Sequence, residues 1–121
     1  MKKTILIVDD FKNTRFATRF TLEREGYEIL EAGDGVEALK LFDGRQVDLV
    51  VTDLNMPNMN GIKLTAEIRK LPQYKYIPIL LLTTETDADK KEQAKAAGIT
   101  GWIQKPFVMD KFIAFIKKAL A

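Results

Sequence analysis

The chain contains no cysteine and no histidine. Without cysteine there is no disulfide framework, no thiol nucleophile and no thiolate metal site. Without histidine there is no imidazole base, no imidazole metal ligand and no phosphohistidine donor within the chain. Neither sign of charge prevails: 19 basic side chains face 17 acidic ones, a net of +2. That balance gives no electrostatic case for nucleic acid or a membrane surface as partner. Long apolar runs are also missing, so no segment reaches membrane-spanning length. The start, Met1-Lys2-Lys3, carries the charge of a signal peptide, but the run Ile5–Val8 stops at two aspartates and is too short to serve as one. Repeats, low-complexity stretches and linkers are absent. The expectation is a soluble, cytoplasmic protein. Its 121 residues, 46% of them hydrophobic, suit one domain with a real core.

Short apolar runs alternate with helical periodicity. Strands are predicted at Thr4–Val8, Tyr27–Glu31, Asp48–Thr52, Ile77–Leu82 and Gly101–Gln104. Helices are predicted from about Asn13 to Glu25, from Asp34-Gly35 to about Asp43, from Gly61 to about Lys70, from about Asp87 to Ala97 and from about Met109 to Leu120. Gly26 and Gly98 close two of them. The stretch Met56-Pro57-Asn58-Met59-Asn60-Gly61 reads as a loop from its Pro, Asn and Gly content. Five strands alternating with five helices make a doubly wound α/β domain with a parallel sheet and helices on both faces. The chain ends with the last helix, so residues 1–121 are expected to form a single domain with no effector domain.

Three of these strands end in charge. Thr4–Val8 runs into Asp9-Asp10, Leu49–Thr52 into Asp53, and Gly101–Gln104 into Lys105-Pro106. In open parallel sheets, sites form outside the carboxyl ends of the strands. Three carboxylates and one ammonium should therefore meet in one place. Crowded carboxylates raise one another's pKa unless a cation sits among them. The arrangement suggests a divalent metal site with one acid left free to react. Each residue has a blander explanation on its own. Asp53 could cap a loop, Lys105 could be a solvated lysine, Thr83 could be a β-former, and Trp102 could be core packing. Asp9 and Asp10 could cap the first helix, although Asn13 and Thr14 are better placed for that.

Taken in order, Asp9-Asp10, Asp53, Met56-Pro57, Gly61, Thr83, Trp102 and Lys105-Pro106 resemble the receiver domain of two-component response regulators, over the whole chain. The stretch Leu54–Gly61 is similar in particular to single-domain chemotaxis regulators. The resemblance implies a flavodoxin-like sheet with strand order 2-1-3-4-5. It implies Asp53 as phosphoacceptor, and Asp10, Asp53 and the backbone carbonyl of Asn55 as direct ligands of Mg²⁺ (Mn²⁺ in its place), with Asp9 acting through water. Lys105 would counter the phosphoryl charge from the opposite side, next to a cis bond to Pro106. Thr83 would be the switch hydroxyl and Trp102 the switch aromatic, where tyrosine or phenylalanine is more usual.

The helix Asp87–Ala97 supports a switch independently. Its apolar residues are only Ala88, Ala94, Ala96 and Ala97, which favour helix but bury little area. Lys90, Lys91, Lys95, Trp102, Gln104, Lys111 and Lys118 would form a mildly basic output face on the fourth helix, fifth strand and fifth helix. Val108 stands where the family often caps the last helix, so that cap is expected at Asp110. The wide stripe Phe112, Ile113, Phe115, Ile116 and Leu120 is expected to leave part of itself for a partner or a dimer.

The leading functional reading is a single-domain response regulator. A sensor histidine kinase donates its phosphoryl group to Asp53, and the output face then binds a protein target in chemotaxis or motility. The protein would be a monomer, with dimerisation on activation as the variant, and would catalyse only its own phosphorylation and dephosphorylation. The alternative is a phosphorelay intermediate passing the group to a histidine phosphotransfer domain. Asn55 and Glu85 lean toward self-limiting dephosphorylation, hence toward a signal. A metal-dependent enzyme or cofactor binder on the same fold is the remote reading. Asp9-Asp10 would repel a flavin phosphate, and Asn55 stands where a phosphatase needs a second acid.

Overall fold

A computed structural model describes residues 2–121. The strands are β1 (Thr4–Val8), β2 (Glu28–Ala32), β3 (Leu49–Thr52), β4 (Ile79–Thr83) and β5 (Gly101–Gln104), all parallel, in the order β2-β1-β3-β4-β5. The helices are α1 (Lys12–Arg24), α2 (Gly35–Leu39), α3 (Gly61–Arg69), α4 (Ala88–Ala97) and α5 (Met109–Ala119). No helix among the described residues is long and apolar enough to cross a membrane.

Each central strand is buried on both faces, and two cores result. On one face Ile5, Ile7, Leu49, Val51, Leu80 and Leu82 meet Leu22 of α1 and Phe112 and Ile116 of α5. On the other, Leu6, Val8, Val50 and Ile79 meet Ala38 of α2 and Leu64 and Ile68 of α3. Each of these side chains larger than alanine, removed from water, stabilises the fold by about 1.5–3 kcal/mol. The α5 stripe is largely used here: Phe115 and Leu120 pack against the first core, leaving Ile113 beside Thr21, Arg24, Glu25 and Met109.

Several boundaries differ from expectation. The second helix was expected to reach Asp43, but α2 ends at Leu39. The Leu41 and Phe42 amides bond three residues back, to Ala38 and Leu39, and tighten the chain out of α-helix. Phe42 then packs edge-on against Tyr74 at 4.8 Å. Strand β4 begins at Ile79 rather than Ile77, because Pro78 has no amide to donate to the ladder. Asn13 and Thr14 are not caps: α1 starts at Lys12, and its N-cap Phe11 makes no side-chain capping bond. Asp110 is not the cap of α5 either. Val108 occupies that position without a capping bond, and Asp110 falls in the first turn, where its charge favours the helix dipole.

Candidate functional site

The register brings the charged residues together. Val8 pairs with Thr52, so Asp9 and Asp53 leave the sheet side by side, and the Asp53 amide donates to the Val8 carbonyl at 3.0 Å. Thr83 pairs with Gln104, so Lys105 emerges next to them, with its amide donating to the Thr83 carbonyl at 2.8 Å. Carboxylate oxygens of Asp9, Asp10 and Asp53 lie within 4.8 Å of one another. The Lys105 Nζ stands 3.5 Å from Asp9 Oδ2 and 3.9 Å from Asp53 Oδ2. The Lys105–Pro106 bond is cis.

The three acids are not alike. Asp9 is buried, Asp53 half-buried and Asp10 exposed. Burial pushes the Asp53 carboxyl up, and the nearby Asp9 charge adds to this. The Lys105 ammonium, the Leu54 amide and the Thr83 hydroxyl oppose it, and the net result lies above the ordinary carboxylate range. The Leu54 amide donates to Asp53 Oδ1 at 2.7 Å. Hard oxygen donors at this spacing fit Mg²⁺, which takes one or two carboxylates and fills its other positions with water and phosphate oxygens.

Around this cluster the backbone is tightly held. Thr52 Oγ1 donates to the Asp53 carbonyl at 2.9 Å. A Cβ at Gly61 would be driven into that same carbonyl oxygen and would come within 2.8 Å of Leu81 Cδ2, so only glycine lets α3 start this close. The loop carrying Asn55, which is exposed two residues past Asp53, is clasped by Asp34. Asp34 accepts from the Glu37 amide at 2.8 Å as the cap of α2 and from the Asn58 side-chain amide at 2.7 Å. Those bonds, the Glu37 amide first and Asn58 next, hold the Asp34 carboxyl below its ordinary value. Asn58 takes φ +68°, a left-handed turn that asparagine tolerates.

Thr83 is fully buried at the end of β4, and its Oγ1 accepts from the amide of half-buried Glu85 at 3.2 Å. Trp102 stands apart from the acids, under α4. The Lys91 ammonium lies 5.6 Å from the centre of its ring, and its indole N–H is buried without a hydrogen-bond partner among the described residues. A cavity of about 270 Å³ opens there, lined by Lys91, Lys95, Ile99, Thr100, Gly101 and Trp102. The rest of the expected basic face is spread over the surface: Gln104, Lys111 and Lys118 are exposed and Lys90 is half-buried.

Two contributors were missed from sequence. Arg15 reaches back from α1 to donate to the Asp9 carbonyl at 2.6 Å, and its Nε donates to Glu31 Oε1 at 3.0 Å. The Asp34–Asn58 bond joins residues 24 apart in sequence. No local pattern signals either contact, although Asp34 before Gly35 was readable as a turn.

The sequence and the fold have counterparts among known proteins. The model of the response regulator receiver domain matches residues 5–117. Chemotaxis protein CheY of Pseudomonas aeruginosa is 39% identical over 115 residues, covering 94% of this chain and 93% of that protein. The CAI-1 autoinducer sensor kinase/phosphatase CqsS of Vibrio cholerae is 37% identical over 110 residues, 90% of this chain but only 16% of that longer protein. The solved structure of Vibrio cholerae chemotaxis protein CheY4 superposes with a TM-score of 0.93 at 39% identity, covering 99% of this chain and all of that one.

Proposed function

The chain belongs to the response regulator receiver domain family, and on that premise we propose that it is a single-domain phosphorylation switch whose phosphoacceptor is Asp53. Receiver domains are signalling phosphoacceptors that work between a sensor histidine kinase and downstream targets. The observation that carries the proposal is the convergence of Asp9, Asp10 and Asp53 with the Lys105 ammonium at the carboxyl edge of one sheet.

A carboxylate oxygen of Asp53 attacks the phosphorus of a kinase phosphohistidine. The new O–P bond forms as the N–P bond breaks, and the imidazole leaves with the electron pair. The transition state needs positioning and charge stabilisation more than covalent help. Asp10, Asp53 and the Asn55 carbonyl would hold Mg²⁺, with Asp9 acting through water, and the ion held there would supply charge neutralisation for the phosphoryl oxygens. Lys105 adds a positive charge on the side of Asp9 and Asp53. The Thr83 hydroxyl, one strand away, donates to a phosphoryl oxygen once the acyl phosphate exists. In doing so it leaves the Glu85 amide, and the β4–α4 segment follows it. Trp102 is the packing partner of that rearrangement. The output is binding of a protein target through α4, β5 and α5, in chemotaxis or motility, by a cytoplasmic monomer that catalyses no reaction but its own phosphorylation and dephosphorylation.

Intact-protein mass after incubation with a small-molecule phosphodonor tests this. One added phosphoryl group that requires both Mg²⁺ and Asp53 is the expected result, with Asp53→Asn folded and unlabelled. An adduct that persists in Asp53→Asn moves the nucleophile elsewhere.

A further inference from the structure

The two aspartates after β1 need more than their own chemistry to stay where they are. Three carboxylates within 4.8 Å repel one another, and the first helix offers no side-chain cap to steady the turn between Asp10 and Phe11. Asp9 is nevertheless held at four points. Its amide donates to the Ala32 carbonyl at 3.1 Å. Its Oδ1 accepts from the Phe11 amide at 2.9 Å, and its Oδ2 faces Lys105 at 3.5 Å. Its carbonyl accepts from Arg15 Nη1 at 2.6 Å, while Nε of the same guanidinium is bonded to Glu31 on β2 at 3.0 Å. Glu31 in turn is paired with Arg19. The Arg15 side chain is only 18% exposed.

The carbonyl matters because the peptide unit is planar. Fixing the Asp9 carbonyl fixes the Asp10 nitrogen and the position of the Asp10 Cα, the point from which its exposed side chain leaves the chain. A guanidinium can do this because it is a rigid fork with donors in two directions; an ammonium is a point charge on a flexible stem.

We propose that Arg15 is a positioning residue of the phosphoacceptor site. Its fork between Glu31 and the Asp9 carbonyl pins the Asp9–Asp10 peptide unit and thereby sets divalent-metal affinity. This rests on the receiver reading above and adds to it a residue outside the acidic cluster. Groups that orient metal ligands from behind typically carry tenfold or more in affinity.

The test is Mg²⁺ binding by calorimetry on wild type, Arg15→Met, Arg15→Lys and Glu31→Gln, with amide hydrogen exchange at Asp10 and Phe11 in metal-free protein. Arg15→Met is expected to weaken Mg²⁺ binding about tenfold and to speed exchange at both amides, with thermal unfolding confirming the fold. Arg15→Lys keeps the charge but not the fork, and should resemble Arg15→Met. Glu31→Gln should show a smaller loss, since Arg15 keeps its charge and its contact with Asp9; it also serves if the Met variant fails to fold. Unchanged or tighter binding in Arg15→Met overturns the proposal, tighter binding meaning that Arg15 acts only by repelling the ion. Wild-type affinity in Arg15→Lys also overturns it, because charge alone would then suffice, and unchanged affinity in Glu31→Gln removes the β2 arm. If wild type binds no Mg²⁺ and takes no phosphoryl group, the receiver reading fails as well; if wild type does both and every variant matches it, this inference alone fails.

Discussion

Strand β5 lies between two helices that are held in opposite ways. On one side α5 drives Phe112 and Ile116 fully into the core, and the Phe115 ring packs so closely on Gly101 that a Cβ there would meet it at 2.6 Å. On the other side α4 buries Ala94 alone. Its firmest attachment is at the far end. Arg69 donates to the Gly98 carbonyl through Nε at 3.0 Å and Nη2 at 2.7 Å, and to the Ile77 carbonyl at 2.7 Å. Gly98 itself needs the left-handed φ of +103° that ends α4. The end of α4 nearest Thr83 and Glu85 has no such anchor, since Ala88, Asp89, Lys91 and Glu92 are all exposed. One side of β5 is therefore structural and the other adjustable. Loosely anchored elements are the ones that open and shift at low cost.

The sharpest way to break that comparison is by mutation on each side. Phe112→Ala should cost about 3–5 kcal/mol in urea unfolding, the range for emptying a packed aromatic site. Ala94→Gly should cost only about 1 kcal/mol, mostly helix propensity. Equal losses would mean that α4 is as firmly seated as α5. Native-state hydrogen exchange comes next. Amides of α4 should exchange faster than those of α5, and a phosphodonor with Mg²⁺ should alter exchange in α4 while leaving α5 unchanged. Asp53→Asn should abolish the α4 response.

The same substitution has a second, smaller effect that reports on the acidic end. Burial raises the Asp53 pKa in the folded protein above its ordinary value of about 3.9. The ionised group therefore costs stability at neutral pH, and that cost fades as pH falls through the raised folded pKa and is gone below the unfolded one. In metal-free buffer Asp53→Asn should melt a few degrees above wild type at neutral pH, roughly the shift of a modest stability gain, and the gap should close toward pH 3. A gap that widens with acid would reverse the sign assigned to the site. Smallest of all is Lys91→Ala. It removes a cation over the Trp102 ring worth about 0.5–1 kcal/mol at an exposed site. It should change Trp102 emission and its access to a neutral quencher while barely moving the unfolding midpoint. Phosphorylation should make Trp102 less quenchable, and an unchanged signal would remove it from the switch.

Much of this was legible in the sequence because the parallel sheet writes itself in apolar runs. Each strand that carries the site was found from such a run, and the residues following β1, β3 and β5 were the ones the register brings together. The weak packing of α4 was legible for the same reason, from alanines where other helices have leucine or phenylalanine. What escaped were features fixed by reach rather than by period. Asn13 and Thr14 looked like caps by type, but the turn after Asp10 is short enough for helix to begin before them. Asp9 and Asp10 are neighbours, and only the fold decides that one is buried and the other exposed. Arg15 lies six residues from its Asp9 acceptor and sixteen from Glu31, separations that no helical or strand repeat marks.

Gly61 has a consequence for anyone mapping this site genetically. A library screened for lost signalling should return position 61 together with positions 53 and 105, although glycine has no functional group to lose. Almost any replacement would add atoms where the Asp53 carbonyl already stands. The phenotype would resemble a missing carboxylate while every reactive group remained in the chain, and a compensating change would have to come from the start of α3 or from the backbone of the loop itself.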